Sequence, residues 1–387
     1  MAQTYKRGIF DRDDMVGVPE SVSALVGLLW SKETPFLTAV GGDAMSSLQT
    51  PCRDTVHYYY EEQWRPMRTT LNGALDASTQ TVVLADEAGK PGEIIVVDEE
   101  SILLGTTSDY KTFASCGRSV GTPAAAAHLT GAAVLIMGKP WEIGSAAGTP
   151  DMIVQPNRVT NYTQIAKRNV GVSGTAAVLA EHHRDGRSRY DVNVEQNVLN
   201  IKHEVENDLL FGIARAPVGD TTAGKMDGVI ERLYSANSTN MSGTTPTRDH
   251  IRTILRAIRD YGGGSMRKMF FVSDYFKGVI DDWQLPHRQV VAGSEMEKRY
   301  GSNVSEVELG GELIPIVPMT KLKTHALMIT PEMIGIGPLS GPGGTRDLKH
   351  TLLGIDGDRI QGELVCELTN EVRAPNAHHL LYGMASP

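Results

Sequence analysis

The chain has 387 residues, of which 41% are apolar and 21% charged, and its formal net charge is −9. That length supports two or three domains with sizeable cores, and the composition excludes wholesale disorder. The acidic balance excludes a protein that coats nucleic acid, which needs a basic face to displace counterions, but not a container that surrounds DNA without gripping it.

The three cysteines, Cys52, Cys116 and Cys366, are far apart and form no C-x-x-C pair. This argues against a disulfide framework or a structural zinc and points to synthesis in a reducing cytoplasm. No run of eighteen apolar residues and no basic-then-apolar start occurs, so neither a membrane span nor a secretory signal is expected. Residues 1–20 are polar, with Asp11, Asp13 and Asp14, and read as an extended arm. Val22, Leu25, Val26 and Leu29 predict a short helix over Ser21–Lys32. Thr55–Trp64, rich in tyrosine and β-branched residues, predicts a strand, and Met152–Val172 reads as further extended chain.

Between these strands the composition shifts. Thr81–Leu84, Glu93–Val97, Ile102–Gly105 and Ala132–Met137 are candidate strands, separated by Lys90-Pro91-Gly92 and by a loop over Gly117–Gly131. The block Ala74–Pro140 therefore reads as a small inserted β barrel or sandwich. His128 within it is read as satisfying a turn backbone rather than as a metal ligand.

Ser188, with Asp191 three residues on, opens the strongest predicted helix. Val194, Val198, Ile201, Val205 and Leu209 form one apolar stripe, and the helix stops near Gly212. Glu195, Lys202, Glu204, Glu206 and Asp208 fall off the stripe, with Lys202 and Glu206 placed to pair at i,i+4. Thr247 caps a second helix carrying Ile251, Ile254, Leu255 and Ile258, stopped by Gly262–Gly264. Lys268–Val272 predicts a strand, and Ser273 caps a helix with Phe276, Val279, Ile280 and Trp283. Glu306–Leu309, Leu313–Val317 and Ala326–Ile329 predict strands, which makes this region α+β. From Asp356 onward, period-two alternation through Ile360, Leu364, Cys366 and Leu368 predicts a strand. A turn at Thr369 and Asn370, a second at Pro375 and Asn376, and a short apolar finish through Tyr382 follow.

Chemistry-bearing motifs are sparse. There is no phosphate-binding Gly-Lys-Ser/Thr loop, no H-E-x-x-H and no G-x-S-x-G; Gly171-Val172-Ser173-Gly174 reads as a turn before a helix. His182, His183 and Asp185, with His378 and His379, are the one candidate metal group, though adjacent histidines point apart. Asp281 and Asp282 are neighbours on a helix and do not face one another, so they read as a solvated face rather than an acid–base pair.

The closing segment Asp356–Gly383 resembles the C-terminus of tailed-bacteriophage major capsid proteins of the Hong Kong 97 fold family. Thr34–Leu37 is similar to that family's N-terminal TPFL segment. Asn161–Ala180 is similar to the lead into its long helix, and Glu206–Arg215, Met226–Gly228 and Asn237 to the end of that helix. Gly121–Ala124 with His128 and Gly131 resembles a pattern in β modules of phage virion proteins. The likeness is collective and covers most of the chain from about Thr34.

It implies an α+β, Hong Kong 97-like capsid fold with an N-terminal arm over 1–50 and an extension loop over 51–73 and 141–173. The inserted β domain would span 74–140, a peripheral domain with the long spine helix 174–245 and 355–387, and an axial domain 246–354. It also implies a non-enzymatic subunit without cofactor. Copies of it would assemble as hexamers and pentamers into an icosahedral shell around packaged phage DNA, with no sequence-specific DNA contact and no membrane. Such a protein is made in the host bacterial cytoplasm and ends in the virion; scaffolding, portal and decoration proteins are partners the likeness leaves open. On the extension loop, Trp64, Arg65 and Arg68 are the candidate assembly interface, a basic pair on an otherwise acidic chain. The alternatives are an encapsulin-like nanocompartment shell and, in another class, a metal-dependent hydrolase using the His182/His183 region.

Overall fold

A computed structural model of the chain describes residues 34–41, 45–48, 50–62, 65–145, 155–179, 188–260, 266–284, 306–309, 311–355 and 357–385. The expected arm, the Ser21–Lys32 helix, Trp64, the His182, His183 and Asp185 group and the Gly262–Gly264 stop lie outside these residues. Six α-helices occur among the described residues: α1 (Pro35–Gly41), α2 (Gly174–Val178), α3 (Arg189–Phe211), α4 (Val229–Ala236), α5 (Arg248–Asp260) and α6 (Asp274–Gln284). None is long and apolar enough to cross a membrane. The chain divides into two compact units, the first including Ala166–Glu204 and Leu348–Cys366, the second Pro35–Ile165, Val205–Asp347 and Glu367–Pro387.

In the first unit, Lys349–Ile355 pairs antiparallel with the start of Arg359–Val372, from Lys349↔Val365 to Ile355↔Ile360. Alternation works as the sequence predicts: Leu364 and Cys366 are buried, as are Ala166, Val170 and Val172 on the strand Gln164–Ser173. Ser173 ends that strand and caps α2, its hydroxyl accepting from the Ala176 N–H at 3.3 Å. The Ser188 hydroxyl likewise accepts from the Tyr190 N–H at 3.2 Å where α3 begins. Along α3 the stripe is fully buried at Ile201, Val205 and Leu209, whereas Val198 is only half-buried.

The second unit holds a six-stranded sheet in the order Ser238–Asn240, His379–Tyr382, Ala326–Ile329, Met269–Val272, Glu312–Pro318 and Glu306–Leu309. α5 and α6 place Ile251, Ile254, Leu255, Ile258, Phe276 and Ile280 in one apolar cluster with Phe270, Val272, Ile314 and Met328 of the sheet. Both helices start as expected: His250 Nδ1 meets Thr247 N–H at 3.1 Å, and the Ser273 hydroxyl accepts from Phe276 N–H at 3.2 Å. α3 ends at Gly212 because its backbone crowds Gly228. A Cβ at Gly212 would sit 2.5 Å from the Met226 carbonyl oxygen, and one at Gly228 2.4 Å from the Gly212 nitrogen.

Three readings are corrected here. Glu206, read as lying off the apolar stripe, is not on a surface face. It is fully buried, accepts from the N–H groups of Phe36 (2.9 Å) and Leu37 (3.3 Å), and pairs with Lys321. Thr369 and Asn370 do not form a turn. They sit inside the 14-residue strand Arg359–Val372, opposite Gly337 and Ile336, fully buried. Thr369 Oγ1 donates to the Tyr162 carbonyl at 3.1 Å and Asn161 Nδ2 donates to the Asn370 carbonyl at 2.8 Å, while Asn370 Nδ2 finds no partner among the described residues. His128 serves carboxylates rather than a turn backbone, as follows.

Seven short strands enclose the cluster of Leu71, Val82, Leu84, Ile95, Val97, Ile102, Leu104, Phe113, Val134 and Ile136. They form a four-stranded sheet (Arg68–Thr70, Ala133–Gly138, Ile94–Val97, Glu100–Leu103) and a three-stranded one (Val82–Val83, Thr112–Ala114, Thr106–Thr107). The first strand starts before the composition shift at Ala74, because the polar run Arg68–Thr70 carries no apolar alternation of its own. At one end a buried polar knot closes the long loop. Arg118 holds Glu100 through two 2.8 Å bonds and donates to the carbonyls of Asp76, Thr79 and Ala126. His128 bridges Asp98 (2.7 Å) and Glu100 (3.0 Å). Arg118 is the largest cause holding the Glu100 carboxyl down to about 2, against the opposing effect of burial.

Two outcomes are expected. Ile201→Asp puts an unpaired charge in a fully buried position and costs several kcal/mol; unchanged thermal stability would refute a core-facing stripe. The Glu100 contribution is complete above its ordinary value of 4.5 and disappears as pH falls toward 2. Glu100→Gln therefore lowers stability at neutral pH by roughly 3 kcal/mol and flattens the acid limb of Tm against pH, followed by circular dichroism.

Candidate functional site

The strand Val56–Glu61 pairs antiparallel with Asn157–Tyr162, from Val56↔Tyr162 to Glu61↔Asn157, as a two-stranded ribbon. Side chains alternate across such a ribbon. His57 and Tyr59 point inward and are buried, while Tyr58 and Tyr60 are 48% and 65% exposed. The inner face is fixed by polar contacts. His57 Nε2 lies 2.6 Å from Glu371 Oε1, and Glu371 Oε2 pairs with Arg373. The Tyr59 hydroxyl donates to the Val372 carbonyl at 3.3 Å, and Arg232 binds Glu61 at 2.8 Å. Asn161 Oδ1 accepts from the Asp227 N–H at 2.8 Å. On the outer face the Arg158 guanidinium lies 4.7 Å from the centre of the Tyr58 ring, a contact of cation–π type.

Hydrogen bonds that His57 donates to the Cys52 sulfur and the Glu371 carboxylate raise its pKa to about 9, more than offsetting burial. Burial pushes Glu371 up, yet its bonds to His57 and Arg373 leave it net lowered. The ribbon thus rests on a buried ion pair, and its aromatic side faces outward.

Of the expected interface residues, Trp64 lies outside the described residues. Arg65 is not a projecting cation: it is committed to Glu93 at 2.8 Å, with both side chains largely buried. Glu93 in turn accepts from the Lys90 N–H at 2.9 Å and closes the Lys90–Gly92 turn. Arg68 is exposed, opposite Leu135. Around it Met67, Leu135 and Met137 are 50%, 42% and 63% exposed. Exposed methionine and arginine side by side are enriched in contact surfaces. The sequence pointed to the segment through its charges; the tyrosines and Leu135 and Met137 were legible only as strand residues, since which face they take depends on register.

The other candidates are dispersed. His378 Nδ1 accepts from Thr330 N–H at 3.0 Å, and its Nε2 lies 3.1 Å from the Arg373 carbonyl. His379 is held between Asn237 Oδ1 (2.7 Å) and Thr239 Oγ1 (2.9 Å). Burial pushes both rings down to about 4, so they are neutral partners in the core. Among the described residues no group of three metal-ligating side chains converges. Asp281 pairs with Lys277 at 2.6 Å, while Asp282 faces solvent.

This mixed α/β architecture, with an outward two-stranded ribbon and no assembled catalytic centre among the described residues, is that of Hong Kong 97-type capsid subunits. The cyanophage A-1(L) capsid asymmetric unit is similar with a TM-score of 0.53 at 11% identity, over 97% of this chain and 99% of that one. A capsid subunit of a native GTA particle aligns over 95% of both chains at TM-score 0.49 and 10% identity. The SrpI encapsulin of Synechococcus elongatus aligns over 60% of this chain and 78% of that one, at TM-score 0.41 and 14% identity. No curated protein matches the chain. The match to the family described as SU10 major capsid protein runs over residues 2–385. The chain belongs to the SU10 major capsid protein family, and it forms capsid shells.

The His57–Glu371 pair sets a pH expectation. Because the folded His57 pKa stands at about 9 against an ordinary 6.5, its contribution is complete below pH 6.5 and is lost as pH rises through 9. Tm measured from pH 6 to 10 should fall for the wild type more steeply than for His57→Gln; parallel profiles would show that the pair does not carry the ribbon.

Proposed function

We propose that copies of this subunit join as hexamers and pentamers into an icosahedral shell that encloses packaged genomic DNA. The observation that carries this reading is the family match along nearly the whole chain, residues 2–385. The acidic net charge of −9 suits a wall that contains DNA without gripping its phosphates. The work of the protein is self-association, not catalysis, and requires no cofactor. Each contact is modest, but a closed shell repeats it at every copy, so weak contacts sum to a stable container.

In this reading, residues 51–73 and 141–173 form the extension loop, 74–140 the inserted β domain, 174–245 with 355–387 the peripheral domain and 246–354 the axial domain. The tyrosine face of the ribbon and the Trp64–Arg68 segment lie on a neighbouring copy. Arg68 provides the outward charge there, while Arg65 anchors the segment through Glu93. The subunit is made in the host bacterial cytoplasm, and its partners are copies of itself.

Negative-stain images of the purified, concentrated protein, alone and co-expressed with the products of neighbouring genes, provide the test. Closed shells or capsomers of uniform curvature are expected. A strictly monomeric species under both conditions overturns the reading.

A further inference from the structure

α5 and α6 send their apolar faces into the same core, which leaves their opposite faces to solvent. On α5 the outward positions four residues apart are Arg248, Arg252 and Arg256, all exposed. On α6 they are Asp274, Gly278 and Asp282, again all exposed. Positions i, i+4 and i+8 share a face and span about 12 Å along a helix. The chain thus carries a basic row and an acidic row of equal length on two helices packed against one sheet face.

The middle of each row is already neutral. Arg252 is paired with Asp249 of its own helix at 2.8 Å, and Gly278 has no side chain. A Cβ built on Gly278 meets nothing within 4 Å, so the groove at its centre is open. Four charges remain, Arg248 and Arg256 against Asp274 and Asp282, and among the described residues none of them has a partner. The nearby Lys277–Asp281 pair is closed within α6 at 2.6 Å and does not compete for them. Two arginines eight residues apart therefore match two aspartates eight residues apart, and the satisfied arginine faces the glycine gap.

From this complementarity we infer that the arginine row of α5 docks on the aspartate row of α6 in the adjacent copy of the same chain. This rests on the proposed reading of residues 246–354 as the axial domain, the part that would meet its copies around a symmetry axis. The two rows are different surfaces, so the contact is heterologous, and such a contact propagates head to tail until the rotation closes a ring. Charge pairs at the rim of an interface fix register and speed encounter more than they add affinity, which is what a subunit joining both five- and six-membered rings requires.

The experiment uses two double variants of the full chain, Arg248→Glu with Arg256→Glu, and Asp274→Lys with Asp282→Lys. Each alone should slow assembly, followed by light scattering, by about tenfold or more, while the Tm of the free subunit falls only slightly and only in the aspartate variant, because all four residues are exposed and Asp274 stands in the first turn of α6. The variant carrying all four reversals restores complementarity between identical copies and should assemble like the wild type. An equimolar mixture of the two double variants can close only by alternating. It should give six-membered rings and no five-membered ones in negative stain.

Wild-type assembly with unaffected double variants overturns the contact alone. A wild type that stays monomeric overturns the shell reading and this contact together. Loss of duplex DNA binding in the arginine double variant, with normal assembly of the aspartate variant, assigns the arginine row to phosphates and sinks the proposal.

Discussion

A single buried carboxylate ties the second unit together. Glu206 takes the N–H groups of Phe36 and Leu37 and the ammonium of Lys321 while itself fully withdrawn from water. Those N–H groups belong to the first turn of α1, where a helix has no internal acceptors and carries a partial positive charge. A carboxylate there is stable only when every lone pair is engaged, and removal of any partner leaves a desolvated charge. Because α1 is held at its first turn, Phe36 meets the Phe271 ring edge-on at 5.1 Å. The face of the six-stranded sheet opposite α5 and α6 is covered as a result.

The same device recurs at each join between remote stretches of chain. Apolar clusters fill the barrel and the six-stranded sheet, each from its own residues. The junctions are polar and buried: Glu100 with Arg118 and His128, His57 with Glu371 and Arg373, Asn161 with Asn370, and Thr163 Oγ1 donating to Glu367 at 2.7 Å. Hydrophobic burial is tolerant of small slips, whereas a buried hydrogen-bonded pair has one geometry. A shell subunit benefits from this division, since repeated contacts close only if every copy presents them at the same angle.

What could be read from the chain follows the range of the interactions. α3, α5 and α6 were legible because their caps (Ser188, Thr247, Ser273) and their stripes are local. The alternating strands around Cys366 and in the barrel were legible for the same reason. Glu206 was misread because its partners lie 170 residues before it and 115 after it, and local spacing offered Lys202 instead. Thr369 and Asn370 look like a turn by composition, and only their pairing with Gly337 and Ile336 across the sheet makes them strand. Arg65 looks like a surface cation until the strand bearing Glu93 is placed beside it. The arginine and aspartate rows on α5 and α6 were not singled out in the sequence, because which of their charges stay without partners is a fact of three dimensions.

The knot at Arg118 has a consequence for how this protein can vary. Arg118 grips the carbonyl of Ala126 from one side of the loop while its own backbone begins the other, and Ser119 and Ala126 both donate to Glu100. The exposed stretch between them is thus clamped at its two roots, and the barrel does not sense its length. Closing a longer loop between fixed ends costs only about 0.6 kcal/mol per doubling. Beyond the Val120 N–H, which donates to the Ser101 carbonyl at 2.9 Å, the stretch from Gly121 to Ala125 is therefore where an inserted peptide is expected to leave the subunit unchanged, presented once per copy on a fixed base.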